Sequence, residues 1–125
     1  MDNEKTYEQW SIENAEKLIK IGHKDVAILR ELLICTTNKI SDSIVAPYFN
    51  HFLDDEELLK NLFEIALEGD DSGDAPWAAA NVISNFPATL LSNYKPQLLE
   101  LAAYDWDYLR LPAEKSLAKI TQDAT

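Results

Sequence analysis

Glycine is scarce in this chain, with 3 residues in 125. A β-rich or loop-rich fold uses glycine at its many tight turns, so the low count argues against both. A single cysteine, Cys35, excludes an intramolecular disulfide. It closes the apolar stretch that begins at Ile28 and reads as a small buried residue. No cationic, half-open setting of the kind that makes a thiol reactive surrounds it. Only two histidines are present, His23 and His51, and they form neither an H-x-x-x-H nor an H-E-x-x-H pair. His23 follows Gly22 and reads as a solvated turn residue. His51, between Phe49 and Phe52, reads as a residue at the edge of the core. No run approaches the ~18 apolar residues of a membrane span. The first residues, Met1-Asp2-Asn3-Glu4-Lys5, lack the basic-then-apolar pattern of a secretory leader. A reducing, cytoplasmic setting is therefore expected.

Positive charge is also in short supply. Lys and Arg total 11 against 22 Asp and Glu, a formal net charge of −11. Phosphate binding needs a basic stripe, so nucleic acid is a poor partner, and an anionic membrane is equally poor. A basic protein suits such a surface, because opposite fields speed encounter and suppress wrong complexes. The simpler use of the charge is solubility.

What the chain does have is enough apolar material for one core. Hydrophobic residues make up 46%, and a chain of this length buries roughly two-thirds of its unfolded surface without staples. Residues 1–125 read as one domain. The apolar residues recur at helical spacing. Glu8 to Ile21 forms a first helix that Gly22 stops. Asp25 opens a second, which ends at Thr36-Thr37-Asn38, and the short link folds the two into an antiparallel hairpin. Ser41-Asp42-Ser43 reads as the cap of a third segment, with Pro47 near its start. Asp54-Asp55-Glu56-Glu57 opens the next helix, whose stripe is Leu58, Leu59, Leu62, Phe63, Ala66 and Leu67. The run from Glu68 to Asp74 is a loop. Pro76 then lies in the first turn of a helix that Pro87 ends. Tyr94-Lys95-Pro96 starts another helix, Asp105-Trp106-Asp107 makes a turn, and a last helix runs to about Ile120 with Pro112 delaying or kinking it.

Two of these units repeat. Phe63-Glu64-Ile65-Ala66-Leu67 matches Leu99-Glu100-Leu101-Ala102-Ala103 at an offset of 36 residues, and an acidic turn follows each. Ala79, Val82, Ile83 and Phe86 match Ala113, Ser116, Leu117 and Ile120 at an offset of 34. A helix–turn–helix unit in the mid-thirties indicates a solenoid, since one hairpin cannot bury its apolar faces alone. The stretch from Asp107 to Ile120 resembles the second helix of a HEAT repeat, which places Asp in the turn, Arg early in the helix, then Ala and Leu at packing positions. Asp107, Arg110, Ala113, Leu117 and Ile120 match that pattern. Asp74, Ala79, Ile83 and Phe86 match it one repeat earlier, although Pro76 or Trp77 stands where the Arg would be. The tetratricopeptide signature of Trp, Leu, Gly and Tyr is absent in register. The resemblance implies an all-α fold, a short HEAT-like solenoid of about three antiparallel helical hairpins.

Little in the chain suggests chemistry. Asp70-Asp71-Ser72-Gly73-Asp74 has the look of a calcium loop, but its glycine is fourth where an EF-hand needs it sixth, and Asn81 occupies the twelfth position. No glycine-rich phosphate loop is present. Neither a metal, a cofactor nor a catalytic residue is expected. The acidic and aromatic turns stand out instead. Asp70, Asp71, Asp74 and Trp77 mark one, and Asp105, Trp106, Asp107 and Tyr108 mark the next. Equivalent turns of a solenoid lie side by side, so the two groups should form one rim. Aromatic anchors beside carboxylates suit capture of a Lys- and Arg-rich surface. The competing reading is that the Asp residues cap helices while Trp77, beside three alanines, fills the core and Trp106 is the more exposed.

The composition and the rim together predict a partner-binding module. A compact, acidic, single-domain helical chain of this size is similar in type to bacterial toxin-immunity proteins, such as those paired with contact-dependent inhibition toxins. That resemblance implies a basic toxin as partner, a nuclease in the usual pairing. The alternatives are a HEAT-like adaptor in another process and a lyase-type enzyme.

Overall fold

A computed structural model describes residues 6–69 and 73–123. These residues are helical, and no strand occurs among them. The helices are α1 (Tyr7–Ile21), α2 (Val26–Cys35), α3 (Lys39–Asn50), α4 (Glu56–Ala66), α5 (Asp74–Ile83), α6 (Ala88–Leu91), α7 (Lys95–Ala102) and α8 (Asp107–Asp123). A 3-10 turn, Ser92–Tyr94, joins α6 to α7. None of the helices is long and apolar enough to cross a membrane.

Local chemistry explains most of the boundaries. Thr6 and Gln9 form a capping box at the start of α1. Gly22, at φ 95°, ends α1 in a conformation that side-chain-bearing residues rarely adopt. Asp25 caps α2 by accepting from the N–H groups of Ala27 and Ile28. The third helix begins two residues before the expected Ser41 cap, because Asn38 takes that role and accepts from the Ile40 N–H at 2.9 Å. Ser41 is buried instead and donates to the Cys35 carbonyl. Pro47 lies inside α3 and Pro112 inside α8, so neither helix starts late to avoid its proline.

The packing has α5 at its centre. All of its residues except Asp74, Trp77 and Asn81 are buried, as expected of a helix that is apolar nearly all round. It pairs with α4 and also lies against α8 and α2, while α7 pairs with α8. The first helix packs on both α2 and α3. Small residues let α5 approach three neighbours: Ala75, Ala78, Ala79 and Ala80 are all buried, as is Ala113 on α8. Leu58, Leu59, Leu62, Leu98, Leu101 and Phe86 complete the core around it with no exposure. Each such leucine contributes on the order of 1.5–3 kcal/mol.

His23 is a correction to the sequence reading. It is buried, not solvated. Its Nδ1 lies 2.6 Å from the Tyr48 hydroxyl and its Nε2 lies 3.2 Å from an Asp55 carboxylate oxygen. The ring meets Phe52 edge-on at 4.7 Å. The turn after α1 is thereby pinned to α3 and to the cap of α4. Burial pushes the Asp55 carboxyl up, but the Leu58 N–H and the hydrogen bond and charge of His23 outweigh it and hold it below the ordinary range. His51, by contrast, is exposed.

Candidate functional site

The candidate site is built where α5 and α8 begin. Because these helices lie side by side, residues that the chain separates by about thirty positions meet at their N-termini. The Trp77 and Tyr108 rings stack with centroids 5.2 Å apart at 30°, and Trp106 meets Tyr108 edge-on at 5.6 Å and 86°. Trp77 and Trp106 are half-buried, with part of each ring packed on the core. Tyr108 is 60% exposed. Both tryptophans therefore behave alike. Trp77 packs against the core without being fully buried, and Trp106 falls in the same intermediate range rather than being exposed. Leu111, 52% exposed and one turn along the same side of α8 as Tyr108, extends the patch. The repeat comparison did not single it out, because it stands beside Pro112 and off the apolar stripe.

Carboxylates border this aromatic surface. Asp74 is the first residue of α5, but its oxygen accepts from the Trp77 indole N–H at 3.2 Å and not from a backbone N–H. Glycine at position 73, with φ 84°, precedes it without a side-chain cap. Asp105 is exposed in the turn before α8. Asp107 opens α8 and pairs with Arg110, which also reaches Glu114 at 3.5 Å. Asp107 is the first cause of a guanidinium held further toward its charged form. The capping role foreseen for these aspartates is thus absent at Asp74, and Asp107 is already neutralised by its own helix. Asp70 and Asp71 lie outside the described residues.

The two turns are also in contact behind the aromatic patch. Gly69 has φ 88°, and a β-carbon placed on it would stand 3.0 Å from the Tyr104 hydroxyl oxygen. The backbone angle favours glycine there, and a β-carbon would also make the Tyr104 hydroxyl give way by a few tenths of an ångström. Lys119 makes a second tie, donating to the carbonyls of Ser84 at 2.7 Å and Phe86 at 2.9 Å at the end of α5.

The patch combines partly exposed, touching aromatic rings with surface carboxylates, of which Asp74 is held by the Trp77 indole and Asp107 by Arg110. Such a surface can take up cationic and aromatic groups of a macromolecule. His51 lies beside an open groove formed with Leu53, Asp54 and Pro87. Among the described residues, no group of three or more His, Cys, Asp or Glu side chains is arranged to hold a metal ion. No protein-family model, curated protein or solved structure matches the chain.

Proposed function

We propose that this chain is an acidic protein-binding module that engages a basic protein through the surface formed by Asp74, Trp77, Asp105, Trp106, Asp107 and Tyr108. The observation that carries this reading is the cluster of Trp77 stacked on Tyr108 with Trp106 edge-on to it, partly exposed and bordered by carboxylates. Large rigid rings at a partly exposed surface give contact area at low entropic cost. Asp105, exposed in the turn, and the charge that Asp74 keeps beside the Trp77 indole are available to the guanidinium and ammonium groups of a partner. The net charge of −11 adds a long-range field that favours such a partner.

In its fuller form the proposal is that of an immunity protein that neutralises a basic toxin domain, a nuclease by charge complementarity. The α4–α5 and α7–α8 pairs serve as consecutive HEAT-like hairpins, with α1 and α2 as a diverged first one. The test is co-expression with the product of the adjacent gene, followed by affinity capture and titration calorimetry. A tight one-to-one complex is expected, weakened at least tenfold by Asp74→Lys with Asp105→Lys and with helical content unchanged. Capture that brings down no such product would overturn the immunity reading. A complex indifferent to those two changes would overturn the choice of surface.

A further inference from the structure

A second feature lies on the other side of the chain's organisation, in a groove of about 380 Å³ between the start of α1, the end of α2 and the start of α3. One wall is Tyr7 and Trp10, ring centroids 6.1 Å apart and interplanar angle 29°, both more than half exposed. Tyr7 is not loose. Its hydroxyl accepts from the Asn38 side-chain amide, and the Asn38 amide oxygen is itself held by the Ile40 N–H. Ile34 forms an apolar wall opposite. Beneath the groove sits Ser11, 3% exposed, whose hydroxyl oxygen is closed off from solvent and has no hydrogen-bond partner. A helical serine ordinarily returns its hydroxyl to the carbonyl four residues back, and a buried hydroxyl left alone is costly. Glu31 is the one carboxylate among the lining residues. The only thiol there, Cys35, is pushed up by burial and then by the Glu31 charge, so it stays neutral.

We infer that this groove binds the guanidinium group of an arginine side chain presented by a protein. A flat cation can lie against the exposed faces of Trp10 and Tyr7. Its several in-plane N–H donors can serve the Glu31 carboxylate and the Asn14 amide oxygen together. A lysine ammonium has no face to stack and fewer donors. An anion is repelled by Glu31, and a neutral aromatic group leaves the Glu31 charge unpaired. The groove shares no residue with the α5–α8 patch and does not depend on it.

The test is a titration of the full chain with N-acetyl-arginine amide, following the indole N–H signals of the three tryptophans by ¹⁵N NMR. The Trp10 signal is expected to move saturably, with a dissociation constant of about 1 mM for a ligand of this size. Glu31→Gln, at an exposed position, should weaken binding about fivefold while circular dichroism stays unchanged. N-acetyl-norleucine amide should leave Trp10 unmoved. An unmoved Trp10 signal under the arginine probe overturns the inference, as does an equal response to norleucine, which would make the groove merely apolar. Movement confined to Trp77 and Trp106 overturns it too, while leaving the aromatic patch as a cation-binding surface.

Discussion

In α1, α2, α3 and α4, the residues Thr6, Asp25, Asn38 and Asp55 each turn a side-chain oxygen onto the N–H groups that open the helix. In α5, α6 and α7 no side chain among the described residues does so. The first half adds three long-range polar ties: the Tyr48–His23–Asp55 chain, the Asn38 amide donating to the Tyr7 hydroxyl, and a bidentate pair of Arg30 with Glu68, both of its bonds at 2.6 Å. The second half is held mostly by close packing of small and aliphatic residues, with Lys119 as its main long polar tie. An aspartate near a helix start thus means different things in the two halves. Asp25 and Asp55 serve the fold, whereas Asp74 and Asp105 leave their charge at the surface.

That contrast can be broken by experiment. The largest effect is expected from Phe86→Ala, which empties a fully buried ring position and should cost about 3–5 kcal/mol in urea unfolding. A cost below about 1 kcal/mol would mean the second half does not rest on packing. Next, Asp55→Ala removes both a cap and the partner of His23, and should destabilise by about 2 kcal/mol without touching partner affinity. The reverse pattern is expected of Asp74→Lys with Asp105→Lys: stability within about 0.5 kcal/mol of the parent, but a complex weakened at least tenfold. Unfolding by that pair would show that these carboxylates hold the second half after all.

A third comparison uses pH. The Asp55 carboxyl is held below its ordinary value in the folded chain. Its contribution is therefore present above the unfolded value of about 3.9 and is lost as pH falls through the folded one. Asp55→Asn keeps a capping oxygen but removes the charge, so it should cost about 1 kcal/mol at neutral pH and progressively less as pH falls below the unfolded value. An equal loss at neutral and low pH would place the effect in the cap alone. Gly69→Ala should cost about 1 kcal/mol, from its positive φ and the approach of Tyr104. The smallest change is expected for Lys119→Met, about 0.5–1 kcal/mol, because the stem still packs when the two carbonyl bonds are lost.

The helices were legible where local signals agree. Gly22, Asp25 and the acidic run before Leu58 mark boundaries within a residue or two of those observed, whereas α5 ends at Ile83, short of Pro87, which instead precedes α6. The Asn38 cap was missed because Ser41-Asp42-Ser43 offers a stronger local signal, and only the burial of Ser41 against Cys35 removes it from competition. The short α6 and its 3-10 turn were missed because four residues carry no helical period. His23 was misread for a different reason: its partners lie 25 and 32 residues away, and nothing local announces them.

The candidate surface shows the same division. An offset of 34–36 residues already placed Trp77 and Tyr108 at equivalent turns, and the sequence alone was enough to say that acidic and aromatic residues share those turns. Their stacking, the half-burial of both tryptophans, and the diversion of Asp74 to an indole and Asp107 to Arg110 were decided by tertiary structure. The physical reason lies in range. Helix periodicity, turn residues and net charge are properties of neighbouring residues or of simple sums. Which carboxylate stays free depends on what the adjoining helix and its own next turn bring within about 3 Å of it.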